Sequence, residues 1–175
     1  MASQGDSGIF FKFDAVTLDT IFLRYYNIGN LSGFSGCGQS SDGDYTFSGE
    51  GGNASLDTTV AWVVKTDTSG NVIWQKTLSS DLYNGAEFIS PFAGGFYLPW
   101  GTAHPNPQTT TGGDSAIFVD KYTNAGTLIW RDTFGVIGHY NVPGPIIGFK
   151  EGGDDYNKPL RYDRFPVRPY SYVQV

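Results

Sequence analysis

The sequence lacks several features on which large functional classes depend. It has one cysteine, Cys37, and two histidines among 175 residues, so it can form neither an intramolecular disulfide nor a zinc cluster built on several cysteines. No apolar run approaches the ~20 residues that span a bilayer. The N-terminal MASQGDSG has no apolar segment of the kind found in signal peptides. We therefore expect no membrane insertion and no secretory signal.

Charge is also scarce. Charged residues make up 16% of the chain, and the formal net charge is −6. Nucleic acid is bound largely through its phosphates, which requires a basic surface, so we expect no nucleic-acid partner. Basic residues gather near the C-terminus, at Lys158, Arg161, Arg164 and Arg168. This tail is either solvated or docked on an acidic neighbour, and the sequence leaves both interpretations open.

Aromatic residues and glycine, in contrast, are abundant. Aromatics make up 16% of the chain, and there are 24 glycines. Aromatic and β-branched residues favour strands, and glycine favours turns. No stretch repeats its apolar residues with helical spacing over several turns. The composition therefore predicts an all-β protein.

The strongest pattern is a repeated hairpin sequence. Residues 61–77 read AWVVKTDTSGNVIWQKT, and residues 117–133 repeat the pattern without a gap as IFVDKYTNAGTLIWRDT. Each copy has two strand-like runs around a turn that contains glycine, as short hairpin loops require. A divergent copy, IFFKFDAVTLDTIFLRY, covers residues 9–25. Its turn is one residue longer and has no glycine, so we expect a different turn geometry there.

A second pattern precedes the hairpins. GGFYLPWGT, residues 94–102, aligns with GDYTFSGE, residues 43–50, when Gly95 is placed on Gly43. The alternation of aromatic with small polar residues predicts a strand with one wetter face. Pro99 has no amide hydrogen to donate, so we expect it at a sheet edge or a bulge.

Further segments complete the period. Residues 33–40 and 86–92 occupy corresponding places and are predicted to be strands, and residues 142–153 have the outline of two more. Each period then holds four strands in ~50 residues, the size of one β-propeller blade. We predict antiparallel four-stranded blades, about three per chain, which is fewer than the ~4–8 of a usual closed ring. The chain is expected to begin and end in mid-blade.

This pattern also predicts the domain organisation. We expect a flexible lead at 1–7, a β-propeller-like repeat domain at 8–152 and an extended basic tail at 153–175. Open blade edges expose unpaired strands, so the chain is expected to act as a homo-oligomer or inside a larger assembly. The tail residues expected to contact a neighbour are Arg161, Arg164, Phe165, Arg168 and Tyr170.

The hairpin motif resembles that of a known family. The run A-W-V-V-K-x-D-x-S-G-N-x-I-W-Q-K-T resembles a bacterial and phage β-propeller repeat with SGNxxWQK-type hairpins, distantly similar to the PQQ-type propellers. The resemblance covers about residues 8–150 and implies a blade-based repeat fold. It also implies a role like those of the family, in secreted surface proteins or in virion tail and fibre proteins. The chain departs from the pattern at the first turn and at Asp120, where the other copies have Val64 and Phe11.

Five aromatic residues recur at fixed places in the hairpins. Because their positions repeat, we predict that they pack between blades and do not stack on sugars. These residues are Phe22, Trp62, Trp74, Phe118 and Trp130.

One tryptophan stands outside that pattern. Trp100 takes the place of Ser48 in the alignment, follows Pro99 and precedes the long loop at 103–114. Tryptophan stacks well on ligand rings, so we predict a possible glycan-binding site here. Its other members would be His104, Asn106 and Gln108.

Candidate metal and catalytic groups are weak. Asp42 with Asp44, and the cluster of Glu151, Asp154 and Asp155, offer oxygen ligands of the kind that calcium prefers. Neither group has the spacing of a twelve-residue calcium loop, and acidic turns are common, so we predict no metal. No convergent set of acids, bases or nucleophiles is evident. We therefore predict no enzyme activity and no cofactor.

The expected function is structural. We predict a non-enzymatic structural or adhesive β-repeat protein, a component of a phage virion in its tail or receptor-facing part. The missing signal peptide favours a virion over an exported surface protein, because phage proteins leave the cell by lysis. The alternative is a carbohydrate-binding, lectin-like propeller module of a bacterial surface protein. Expected partners are other virion or surface proteins, further copies of the chain and a glycan.

Overall fold

The protein is all-β throughout the ranges that its computed structural model describes, which are residues 7–53, 58–78, 83–103 and 116–134. No helix occurs in these ranges, and so none that could cross a membrane. The strands are β1 Gly8–Phe13, β2 Thr20–Tyr26, β3 Leu31–Gln39, β4 Tyr45–Asn53, β5 Thr58–Thr66, β6 Val72–Leu78, β7 Tyr83–Ala86, β8 Ser90–Phe92, β9 Gly95–Ala103, β10 Ala116–Thr123 and β11 Leu128–Phe134. The all-β prediction is confirmed.

These strands form three sheets. Sheet 1 consists of β1 and β2, and sheet 2 has the order β3-β4-β5-β6. Sheet 3 has the order β11-β10-β9-β7, with β8 also paired to β9. Every pairing between these strands is antiparallel. Sheet 2 is therefore a four-stranded meander in which each strand lies beside its neighbour in sequence.

The start of sheet 3 differs from the prediction. Residues 86–92 were expected to be one strand, but β7 and β8 are two short strands that pair with different parts of β9. Neither of them has a residue paired with Pro99, although Pro99 pairs with Val119 on the other side of β9. Pro99 thus lies in a central strand at the gap between two edge segments, where its missing amide hydrogen costs no ladder bond on that side.

The three hairpins share one register. In each, a lysine on the first strand is paired with an aromatic residue on the second: Lys12 with Phe22, Lys65 with Trp74, and Lys121 with Trp130. In each, the register shifts immediately after that lysine. A bulge at this place increases the local twist before the turn. The gapless match of residues 61–77 with 117–133 therefore reflects matching hairpin registers.

The turns also share a backbone feature. Gly70 and Gly126 have positive φ angles of 81° and 76°, a conformation that glycine adopts without steric cost. In the first turn, Leu18 takes the corresponding place with φ 62°. The first turn keeps the left-handed position but closes over one more residue, because the Leu18 amide donates to the carbonyl four residues back, whereas the Gly70 and Gly126 amides donate to carbonyls three residues back. The expected difference in turn geometry is therefore present.

The sheets pack face to face, with sheet 2 in the middle. Alternate side chains of β5 point to opposite faces, as in any strand. Trp62 and Val64 join Phe10 and Tyr26 of sheet 1 in one apolar cluster. Ala61 and Val63 pack with the side chains of sheet 3, including Phe96, Leu98 and Trp100, in a second cluster. The core is therefore two apolar layers, one between each pair of adjacent sheets.

Candidate functional site

The acidic pair Asp42 and Asp44 is occupied by a side chain of the protein itself. The Lys65 ammonium lies 2.5 Å from Asp42 Oδ2 and 3.3 Å from Asp44 Oδ2. Burial raises the pKa of Asp42, but the bonds from Lys65 and from the Asp44 amide outweigh it and leave that pKa below its ordinary value. The Lys65 ammonium offsets one of the two carboxylate charges and lies between the oxygens that a calcium ion would use. Within the described ranges no three His, Cys, Asp or Glu side chains are grouped as metal ligands.

The same lysine position links each hairpin to the next one. Lys65 Nζ also donates to the Asn124 carbonyl at 3.2 Å, and Lys12 Nζ donates to the Thr68 carbonyl at 3.3 Å. Thr68 and Asn124 occupy equivalent places in their turns. The repeated lysine is therefore a structural contact between sheets, because it donates to a carbonyl of the next turn; the Asn124 carbonyl also accepts from the Trp74 indole N–H at 3.2 Å.

The five predicted core aromatics all pack between or within sheets. Trp62 is fully buried and stacks on Phe34 with ring centroids 4.9 Å apart. Phe22, Trp74 and Phe118 are partly buried against the two core clusters. Trp130 is also partly buried, 6.0 Å from the Tyr97 ring.

Trp100 is a core residue, which corrects its assignment to a ligand site. It is 1% exposed, and its ring stacks on Phe118 at 4.4 Å. The Arg131 guanidinium lies 4.9 Å from the ring centroid. No ring face remains for a sugar in this arrangement.

The error has a definite source in the register. Trp100 pairs with Phe118, and Gly49 pairs with Trp62 at the equivalent place in sheet 2. Trp100 therefore corresponds to Gly49 and not to Ser48. A shift of one residue moves a side chain to the opposite face of a sheet, so the alignment placed Trp100 on the wrong side.

A buried carboxylate accompanies Trp100. Asp120 is 0% exposed and accepts from Arg131 through Nε at 2.7 Å and Nη2 at 2.8 Å. It also accepts from the Trp100 indole N–H at 3.1 Å and the Tyr122 hydroxyl at 2.9 Å. Burial and the neighbouring Asp120 charge raise the pKa of Tyr122, and the bond to Asp120 raises that of Arg131.

This network is suited to structure and not to catalysis. Oδ2 of Asp120 accepts three of these hydrogen bonds and Oδ1 accepts one, and the residue is 0% exposed, so the carboxylate faces donors of the protein and not solvent. A buried charge is tolerated when it is paired and fully hydrogen-bonded. Asp120, which replaces an apolar residue of the repeat, therefore forms an internal ion pair with Arg131. From the sequence alone, it was evident only that Asp120 departs from the repeat pattern.

The remaining predicted site residues cannot be located. His104, Asn106 and Gln108 lie outside the described residues, as do Glu151, Asp154 and Asp155. The tail residues Arg161, Arg164, Phe165, Arg168 and Tyr170, and the predicted strands at 142–153, lie outside them too. These assignments remain predictions.

The most distinctive surface was not predicted. One side of sheet 1, called here the outer face, presents six large side chains that are 41–63% exposed. They alternate along the two strands with the residues that face sheet 2, and the register pairs Phe11 with Leu23 and Ile9 with Tyr25. The members of the outer face are Ile9, Phe11, Phe13, Ile21, Leu23 and Tyr25.

The signal for this surface is present in the sequence. The run IFFKF is apolar at both alternations except for Lys12, and IFLRYY is apolar except for Arg24. A strand that is apolar on both sides is typical of burial on both faces. In sheet 1, however, only the face toward sheet 2 is buried, and the six residues of the outer face remain 41–63% exposed.

The chemistry of the outer face restricts its ligands. The Tyr25 hydroxyl is the only polar side-chain group among the six residues, and Phe11 and Phe13 lie with ring centroids 5.7 Å apart. Sugar sites combine aromatic rings with placed hydrogen-bonding groups. An almost wholly apolar sheet face is instead typical of a protein interface.

Comparisons with known proteins do not identify the chain. The sequence matches no protein-family model, and a search of curated proteins finds no match either.

Proposed function

We propose that this chain is a non-enzymatic structural protein that works inside a larger assembly, as a component of a phage virion in its tail or receptor-facing part. The observation that carries the proposal is the outer face of sheet 1. Contiguous apolar patches above a few hundred Å² on soluble proteins usually mark interaction sites. Six neighbouring large residues with exposures of 41–63% constitute such a patch.

The proposed fold is a set of propeller-like blades. Its support is the repetition of three features in successive hairpins: the lysine–aromatic pair, the register shift and the left-handed turn residue. Face-to-face stacking of successive antiparallel sheets is also how neighbouring blades pack. The resemblance of the hairpin sequence to phage and bacterial repeats leads from this fold to the virion.

A structural role also agrees with the polar groups. Lys65 is engaged by Asp42 and a turn carbonyl, and Asp120 by Arg131. These charges are used internally to join strands and sheets. They supply rigidity, which a particle component needs, and leave no described acid–base pair directed at an open cavity.

Analysis of purified particles tests the proposal. Particles from lysed cultures of the source should contain the protein, detectable by mass spectrometry and by gold-labelled antibody at a fixed place in electron micrographs. Replacement of Leu23 with Asp, which puts a charge on the outer face, should abolish incorporation. Ile129 is 48% exposed and lies in sheet 3, so Ile129→Asp is the matched control and should be incorporated normally.

Absence of the protein from purified particles would contradict the proposal. Incorporation of the Leu23→Asp protein at the level of the Ile129→Asp protein would show that the outer face is not the surface used.

A further inference from the structure

The part of the outer face that lies on β1 has counterparts in the other two sheets, and those counterparts are covered. The counterparts of Ile21 on β2 are Ile73 and Ile129, which remain 50% and 48% exposed. In the shared register, Phe11 corresponds to Val64 and to Asp120, each of which is 0% exposed. Val64 packs against sheet 1. Asp120 lies between sheets 2 and 3, where it accepts from Trp100 and Tyr122 of the second core cluster. Phe11 itself is 50% exposed. The β1 part of the outer face therefore corresponds to positions that are buried in the other sheets, and among the described residues no further sheet lies on it.

Another sheet could not cover the outer face in the way that sheet 1 covers sheet 2 and sheet 2 covers sheet 3. A Cβ added at Gly70 would lie 3.1 Å from the Phe22 ring, and one at Gly126 would lie 3.0 Å from the Trp74 ring. In both interfaces an aromatic ring of the preceding sheet thus packs against the turn glycine. Leu18 has a full side chain at that place and is 71% exposed. A preceding sheet placed in the same way would collide with it.

The far face of sheet 3 does not provide a complementary surface either. Side chains there alternate with those that face sheet 2, and they include Pro99, which is less than 2% exposed, and Lys121, at 7%. The Lys121 ammonium lies 4.7 Å from the Phe92 ring centroid and 5.7 Å from that of Tyr97. Because these residues are already covered, head-to-tail stacking of one copy on another would bury little new apolar surface.

We propose that the outer face is a homodimer interface, in which the outer faces of two copies pack against each other around a two-fold axis. An isologous interface uses one surface twice and closes at two subunits. It suits this face because the face is apolar throughout and carries no charge that would meet its own copy. The directly paired Phe11 and Leu23 lie at its centre.

The size of the face is sufficient. Large side chains bury roughly 150–250 Å² when fully covered. Covering six that are about half exposed therefore removes about 600 Å² per copy, or about 1,200 Å² in total, which reaches the range of specific interfaces. Leu18 and Val16, with exposures of 71% and 91%, adjoin the face and would add to it.

The proposal rests on the proposed function, since it names the partner at the same surface, but it is tested without particles. Sedimentation velocity of the full chain over a range of concentrations should show a dimer. Phe11→Asp should weaken dimerisation by about 50-fold or more, because it buries an unpaired charge at the centre of the interface. The repeat-equivalent pair Ile21→Asp and Ile129→Asp provides the matched comparison: only the first should weaken the dimer. Far-ultraviolet circular dichroism must show that each variant is folded.

A cross-linking experiment tests the symmetry. With Phe13 replaced by photoreactive benzoyl-phenylalanine, a mixture of light and isotopically heavy copies should give mixed-mass cross-links to residues 8–26 of the other copy. A wild-type monomer at all concentrations, loss of the dimer in Ile129→Asp, or mixed-mass cross-links only to sheets 2 and 3 would each overturn the proposal. If the protein dimerises but is absent from particles, the proposed function is contradicted and the proposed dimer interface stands.

Discussion

The two layers between the sheets are built from the same repeat and differ in chemistry. Val64 faces sheet 1, and Asp120 occupies the equivalent place facing sheet 2, yet both are 0% exposed. Val64 belongs to a cluster of stacked rings that includes Phe34, Phe47 and Trp62. Asp120 is surrounded by donors from Trp100, Tyr122 and Arg131.

The difference shows that the repeat specifies backbone geometry more strictly than side-chain chemistry. The residue paired with Val64 is Gln75, whereas the residue paired with Asp120 is Arg131. The buried charge is therefore accompanied by its counter-charge on the adjacent strand, the shortest route by which a carboxylate can be neutralised in a sheet. The lysine contact to the next turn is retained in both layers.

The largest test of this comparison removes the ring at the centre of the apolar layer. Trp62→Ala should lower the free energy of unfolding by about 3–5 kcal/mol, because Trp62 is 0% exposed and its loss leaves a cavity. Phe118→Ala, at the equivalent but partly exposed place in sheet 3, should cost about half as much. Urea denaturation followed by circular dichroism measures both.

Equal losses at the two positions would contradict the view that the layer between sheets 1 and 2 depends more strongly on ring packing. A loss below about 1 kcal/mol at Trp62 would show that sheet 1 does not cover sheet 2 in solution.

The second test concerns the ion pair that the layer between sheets 2 and 3 contains in addition to its apolar cluster. Arg131→Met should cost about 3 kcal/mol, because it leaves the Asp120 carboxylate buried without a counter-charge. The value is at the low end of the usual range since the Arg131 side chain is 37% exposed and water screens part of the interaction. Gln75→Met is the matched control beside Val64, and it should change stability by less than about 0.5 kcal/mol.

If the Gln75→Met and Arg131→Met proteins lose stability equally, the ion pair does not stabilise its layer.

The sequence predicted the hairpins well and the strand before them poorly, for physical reasons that particular residues make clear. Residues 61–77 and 117–133 could be matched because Gly70 and Gly126 mark turns of equal length between strands with β-sheet patterns. In the preceding strand the alignment placed Gly95 on Gly43. The positive φ angles of 87° at Gly43 and 97° at Gly94 show that Gly94 is the true counterpart.

Other features depend on what lies across the sheet. The side of the sheet on which Trp100 lies follows from that one-residue register, and the donors around Asp120 come from three strands, β9, β10 and β11. The exposure of the outer face depends on whether another layer packs on sheet 1, and within the described ranges none does; the sequence pattern of a single strand does not carry this information. The conformation of a turn is determined by a short segment of sequence, whereas the burial of a side chain depends on how the sheets pack.

The smallest test concerns the place where the first hairpin departs from the other two. Leu18 has φ 62°, a conformation that costs a residue with a Cβ roughly 1–2 kcal/mol. Leu18→Gly removes that strain but adds about 0.5–1 kcal/mol of unfolded-state entropy, so we expect a net gain of about 0.5–1 kcal/mol. The leucine is tolerated here because no sheet among the described residues packs on this turn, whereas a Cβ at Gly126 would contact the Trp74 ring. Val16→Gly is the control: Val16 is 91% exposed without a positive φ, so this change should only destabilise. Both are measured as shifts in the urea midpoint at a protein concentration low enough to keep the chain monomeric, because Leu18 adjoins the outer face. If Leu18→Gly destabilises as much as Val16→Gly, the first turn does not hold the left-handed conformation, and the three hairpins do not share the left-handed turn residue on which this comparison depends.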